Sequence, residues 1–358
     1  MAAAGRRQSP ARLPRVAASG SIAPHNEGMM RVKICVYGPG AIGGWLAAAM
    51  AKGGIEVSVV ARGAHLRAIR ENGLTLELPD DRYTVKVAAS DNPADLGPQD
   101  GVIVTVKAPS LPSVAGAIGP LLREDTPVAF LTNGIPWWYF MGHGGPLDGR
   151  NLPRLDPNNA LRDAIGPRRL IGGIAWPASS VPEAGVIKMS AGAARGCVIG
   201  SPDAGPHPGL DLFDRAFAAG NLKLTIAPQI RDVIWEKLSF NLSAGPMCVL
   251  TTSPVKDTHV EEALVQTSRQ VMTEVSALIA AMGRNVPIDQ DRVVAGNRVL
   301  GHRPSILQDL LAGRPMEVDA LYSTPLELAE MVGVTLPTLE LLVSLIKVRA
   351  RQAGLYNG

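Results

Sequence analysis

The stretch VYGPGAIGGWLAA, residues 36–48, constrains this chain more than any other. Gly38, Gly40 and Gly43 are spaced G-x-G-x-x-G, and their surroundings give the spacing its meaning. RVKICVYG is an apolar run with β-branched residues, AIGGWLAAAMAK is rich in helix formers and stops at Gly53-Gly54, and IEVSVVAR is a second strand-like run. Strand, turn, helix and strand within about 30 residues make a βαβ crossover. In such a unit Gly38 permits the tight turn, Gly40 lets backbone approach a pyrophosphate, and Gly43 lets the helix pack on the strand. Pro39, Ala41 and Ile42 complete the turn. The helix start offers unsatisfied N–H groups and the positive end of its dipole to an anion. A dinucleotide site is expected here.

The end of the second strand selects the dinucleotide. A site for NAD usually carries an acid about 20 residues downstream, on the ribose hydroxyls. In SVVARGAHLR that place is taken by Arg62, and a guanidinium pairs well with a 2′-phosphate. NADPH/NADP+ is therefore the expected cofactor. Two further strand-like runs, GVIVTVKA and PVAFLTNG, end at Lys107 and at Asn133-Gly134. Ligands in open α/β sheets bind outside the carboxyl ends of the strands, so both Lys107 and Asn133 are expected to face the cofactor crevice.

At 358 residues the chain is long for one core. Residues 1–30 read as a disordered tail or a mis-assigned start, with Met29 or Met30 as the working start. Residues 31–228 read as a Rossmann-type α/β nucleotide-binding domain. Residues 229–358 read as an all-α C-terminal domain, and a cleft between the two is the expected site. Helical spacing covers 229–244, 257–282, 305–313, 317–332 and 337–353, with GRNVPIDQ as a break. An irregular stretch, 135–168, contains PWWYF; Trp137 to Phe140 read either as a covering for an apolar ligand or interface, or as local packing.

The net charge of +3 comes from the tail: of 35 bases and 32 acids, four arginines and one glutamate lie in residues 1–30, leaving 31 of each. The body thus has no general attraction for phosphate backbones, and nucleic acid is not an expected partner. No apolar run reaches the ~18–20 residues of a membrane helix. Three scattered cysteines suggest neither a disulfide framework nor a metal site, and a cytoplasmic protein is expected. ALVQTSRQVMTEVSALIAAM leaves packing within its own domain or against a second copy, as a homodimer, both open.

In QIRDVIWEKLSFNLSAG, Ile230, Val233, Ile234 and Leu238 form one apolar stripe, and Lys237 and Asn241 fall within it. Polar groups centred on such a face are costly without partners, which points to a face lining a cleft. Ser305-Ile306-Leu307-Gln308 matches a capping box with Ser305 as the cap, and Glu317 is placed in the first turn of the next helix.

GPGAIGG, VKA at 106–108, TNG at 132–134, WEKLSFN at 235–241 and SILQDLLAGRPMEVDAL at 305–321 occur in this order. Over residues 31–353 the chain thereby resembles the ketopantoate reductase (2-dehydropantoate 2-reductase) family. The resemblance implies an NADPH-dependent reductase of a small 2-oxo acid, ketopantoate to pantoate, in pantothenate synthesis. It also implies Lys237 as proton donor and Glu317 as the cleft glutamate that helps hold it. Gly38 to Gly43, Lys107 and Asn133 are implied as cofactor contacts, and Asn133, Asn241 and Ser305 as substrate contacts, with no metal. Two positions depart from the family pattern. Gly245 opens GPMCVL where the family often has a second asparagine and NPLTAL, and Pro304 stands where a serine is common. With the aromatic stretch these suggest a less polar pocket, so a bulkier carbonyl substrate is the alternative. A non-catalytic NADP(H) sensor or partner-binding module is the alternative of another class.

Overall fold

The computed structural model describes residues 32–190 and 196–358, so the tail reading for residues 1–30 lies outside the described residues. The strands are β1 (Lys33–Tyr37), β2 (Glu56–Val60), β3 (Leu74–Glu77), β4 (Arg82–Val85), β5 (Ala88–Ser90) and β6 (Gly101–Val104). They continue with β7 (Val128–Leu131), β8 (Leu170–Ala175), β9 (Ser179–Glu183), β10 (Val186–Met189), β11 (Cys197–Gly200) and β12 (Leu224–Ile226). One sheet runs β12-β11-β8-β7-β6-β1-β2-β5, and only the β11–β8 pair in it is antiparallel. A smaller sheet, β4-β3-β10-β9, packs against the first helix, α1 (Ala41–Lys52).

β1, β6 and β7 are buried nearly end to end, which is why they read as apolar runs without alternation. Neighbouring β1 on either side are β2 and β6, so the chain leaves β1 where the strand order reverses, and its carboxyl end opens a crevice. The glycine turn sits there. Gly38 has φ +91, and a Cβ on it would come within 2.5 Å of Val106 Cγ1. A Cβ on Gly43 would collide with the Thr105 hydroxyl and the Gly38 carbonyl. Gly43→Val is therefore expected to lower stability by about 1–3 kcal/mol, checked by urea denaturation; an unchanged midpoint would contradict this close approach.

From Ile230 the chain is helical: Ile230–Thr251, Val255–Thr258, Glu262–Ala281, Gln290–Val299, Ser305–Leu311, Asp319–Ser323 continuing into Thr324–Val332, and Pro337–Gln352. Residues 32–358 cluster as one compact unit. The reason is visible in the core. One side of the large sheet packs on α1 and on the helix Pro208–Ala219, through Ile34, Met50 and Phe213. The other side belongs to a cluster that runs unbroken from Val104 and Phe130 through Trp138 and Trp235 to Leu307 and Tyr322. Apolar contact thus ties the sheet to the helices and fixes the cleft between them.

Several local expectations are corrected. The helix from Ile230 does not stop at 244 but continues through Pro246 to Thr251. Proline costs a helix one backbone hydrogen bond, and here burial of nearly every residue around it outweighs that loss. The helix Gln290–Val299 was not read in the sequence; Asp289 caps it by accepting the Arg292 N–H at 3.0 Å. Ser305 is not a cap: Pro304 holds that position and Ser305 is the first helical residue. The apolar face of Glu262–Ala281 is buried in its own chain, against Trp235, Leu238 and Leu242.

Trp137 to Phe140 form core, not a ligand cover. Trp138 and Tyr139 are fully buried, and Arg231, only 2 % exposed, donates to the carbonyls of Tyr139 (2.7 Å), Met141 (2.6 Å) and Pro202. Its guanidinium stands 5.7 Å from the centroids of both the Trp138 and Tyr139 rings. Burial lowers the Arg231 pKa to about 10, so it stays charged at neutral pH.

Candidate active site

A cavity of about 1070 Å³ lies outside the carboxyl ends of β1, β6, β7 and β8, faced by the helices from Ile230 onward. On the strand side it is lined by Gly38, Pro39, Gly40, Ala41 and Ile42, by Arg62, and by Lys107 and Asn133. From the helices come Lys237, Asn241, Ser305 and Glu317. Gly43, the last glycine of the motif, lies buried beneath the turn. These residues, spread over 280 positions, meet because the ends of β1, β2, β6 and β7 and the helices Ile230–Thr251 and Ser305–Leu311, with the segment just after the second, converge on one crevice.

Lys237 is the best-connected group. Its Nζ donates to Asn133 Oδ1 at 2.8 Å and to the Ala175 carbonyl. Asn133 also lies beside Glu317, whose carboxyl pKa its side chain helps to hold down. Glu317, 5 % exposed, also accepts the backbone N–H of Ala108 at 3.0 Å through Oε1. Glu317 therefore acts on Lys237 through its charge and through the shared Asn133, with no direct hydrogen bond between the two side chains. It stands just ahead of the helical turn at Val318, not inside it. Burial lowers the Lys237 pKa to about 8, partly offset by the nearby Glu317. Burial likewise raises the Glu317 carboxyl above its ordinary range, while the Ala108 N–H and the Lys107 charge oppose the rise.

Lys107 closes the other side of the cavity by pairing with Asp309, which is 2 % exposed and also takes Arg314 Nε at 3.1 Å. This strand-to-helix ion pair was missed in the sequence, although an acid inside SILQDLL on an otherwise apolar helix was its signal. Arg62 is exposed at the start of α2 (Gly63–Asn72), whose first N–H groups receive no side-chain cap. A Cβ built on Gly40 meets nothing within 4 Å, so the turn presents bare backbone to the cavity.

Two aromatic side chains overlooked in the sequence stand beside Lys237. The Trp176 ring centroid is 6.0 Å from its Nζ, and Phe240, 41 % exposed, packs edge-on at 6.4 Å from Trp176. Gly245 does not line the cavity; Tyr322 Oη stands 2.6 Å from where its Cβ would be, filling the space a larger side chain would need. Among the described residues no cluster of three His, Cys, Asp or Glu could hold a metal ion, and no helix is long and apolar enough to cross a membrane.

Comparison with known proteins places this arrangement. The family model described as "Ketopantoate reductase PanE/ApbA" matches residues 34–203, and "Ketopantoate reductase PanE/ApbA C terminal" matches residues 229–350. A 2-dehydropantoate 2-reductase of Mesorhizobium japonicum is 38% identical over 328 residues, covering 91% of this chain and 100% of its own. One from Caulobacter vibrioides is 28% identical, covering 88% of this chain and 99% of its own. A crystal structure from Ralstonia solanacearum MolK2, assigned as a ketopantoate reductase, superposes with a TM-score of 0.86 at 34% identity, over 91% of this chain and 100% of that one. In sequence, in fold and across both halves of the cleft, the chain belongs to the ketopantoate reductase family.

Proposed function

We propose that this protein reduces a 2-oxo acid to the 2-hydroxy acid with NADPH, ketopantoate to pantoate being the first reaction to test. The observation that carries the reading is Lys237. Its ammonium is held by two fixed acceptors on the wall of the cavity that also contains the bare glycine turn. The residues present fit the cofactor. Gly40 leaves room for a pyrophosphate at the positive start of α1, and Arg62 with the uncapped start of α2 suits a 2′-phosphate.

When bound, NADPH supplies the hydride that reduces the oxo carbon. The chain supplies the rest. A lysine ammonium has three N–H groups; two are committed to Asn133 and Ala175, which leaves one for the substrate oxygen. That N–H polarises the carbonyl and passes its proton to the oxygen as negative charge develops there. Asn133 and Glu317 hold the nitrogen in place, and Asn241 and Ser305 offer hydrogen bonds to the substrate carboxylate.

NADPH oxidation in the presence of ketopantoate tests the reading; no turnover by a chain that still binds NADPH would favour the sensor. Arg62→Ala is expected to raise the KM for NADPH roughly 10- to 100-fold and leave that for NADH unchanged. Equal effects on both would remove the 2′-phosphate role. A second reading, a bulkier or less polar substrate, is favoured by the aromatic pair Trp176–Phe240 beside the proton donor. Faster turnover of 3,3-dimethyl-2-oxobutanoate or phenylglyoxylate than of ketopantoate would select it.

A further inference from the structure

The glycine turn has an imidazole behind it that the reaction above does not use. His65 lies in the first turn of α2, three residues after Arg62, half-buried in the cavity wall. The Gly185 N–H donates to its Nδ1 at 2.9 Å. A backbone N–H can only donate, so Nδ1 is the bare nitrogen of the ring. Nε2 then carries the proton and donates it to the Pro39 carbonyl at 2.7 Å. Gly185 is itself held: its carbonyl accepts the Thr75 N–H at 2.9 Å, and the Ala68 methyl stands 3.1 Å from its Cβ position. The imidazole is thus gripped from the small sheet and aimed at the turn as a neutral, single tautomer.

The Pro39 carbonyl belongs to the peptide that leads into Gly40, and a planar peptide rotates as one unit. Proline restrains its own φ but leaves its ψ free, and Gly40 has open space where a side chain would resist rotation. The Gly40 N–H of this peptide donates to the Gly38 carbonyl at 2.7 Å, so without His65 the peptide would be held on one side only and its carbonyl would be freer to turn towards the cavity. There the partial negative charge of the oxygen would face the same anion that the start of α1 attracts. His65 is the only side chain bonded to that carbonyl among the described residues.

We propose that His65 is a positioning residue for the dinucleotide pyrophosphate, set by Gly185 and acting through the Pro39 carbonyl to keep the turn open to an anion. The role rests on the reading of this cavity as an NADPH site. It also links the β9–β10 turn, which carries Gly185, to cofactor affinity.

The test compares the wild-type chain with His65→Ala and His65→Gln, measuring the Kd for NADPH by fluorescence titration, kcat at saturating NADPH, and Tm of the free protein. Glutamine carries an acceptor oxygen and a donor N–H on one carbon, as the two ring nitrogens share Cε1, and can replace both bonds. His65→Ala is expected to raise the Kd roughly 5- to 10-fold with kcat little changed, and His65→Gln to restore most of the loss. An Ala variant that binds NADPH within twofold of wild type overturns the role. So does an equal loss of affinity in both variants that follows a fall in Tm, since that marks general structural damage. Failure of the wild-type chain to bind NADPH overturns the cofactor reading and this role together.

Discussion

Lys237→Ala is expected to lower kcat by roughly 10²–10⁴-fold, with the Kd for NADPH within a few-fold of wild type. Alanine removes the group on the cavity wall whose N–H bonds are fixed by Asn133 and Ala175. The glycine turn lies across the cavity on other elements, so binding and turnover should separate. A variant with unchanged kcat would remove Lys237 as the proton donor. The same residue sets the pH profile. With a pKa held down to about 8, Lys237 is protonated at neutral pH and loses its proton as pH rises through that value. A neutral amine has two N–H groups, both already committed, and none left for the substrate. The rate should therefore be flat below pH 8 and fall above it; a rate constant up to pH 10 would contradict the assignment. The sign for stability is opposite to that for activity. The folded pKa lies below the ordinary value of 10.5, so the unfolded chain holds the proton more tightly. The cost to folding is full below about pH 8 and is relieved as pH rises towards 10.5.

Arg231→Leu is expected to destabilise the protein by about 3 kcal/mol or more, read from the urea midpoint. Leucine matches much of the apolar stem but leaves the carbonyls of Tyr139, Met141 and Pro202 buried without a donor. Each orphaned acceptor costs about 1–3 kcal/mol, and leucine offers none of the three a partner. Arg231→Lys should recover only part of this, because one ammonium cannot span three acceptors as a guanidinium fork does. A loss below 1 kcal/mol would mean that water enters and satisfies the carbonyls. NADPH affinity of the folded fraction should be unchanged, because Arg231 does not line the cavity.

Arg231 also shows where sequence reading ran out. PWWYF by itself fits either a ligand cover or core, and the residue that decides between them lies about 90 positions further on. Ser305 matched a capping pattern, yet Pro304 with its restricted backbone took the cap position. Asp309 could have been suspected as an acid on an apolar helix. His65 gave no such signal, since its partners are two backbone atoms from a distant turn and from the glycine loop. Lys237 and Asn241 were legible because helical periodicity exposes a polar residue on an apolar stripe without any knowledge of its neighbours.

The chain's own order of residues determined the βαβ start, the place of the glycine turn in it, and the helical second half. All of these follow from backbone sterics and from the 2.0 and 3.6 residue periods, which act over a few residues. Tertiary structure alone decided that Lys237 meets Asn133, 104 residues away, that Glu317 is buried close to both, and that Arg231 turns four aromatics into core. Such contacts depend on how buried surfaces close over one another, and that is a property of the whole packed chain rather than of any spacing along it.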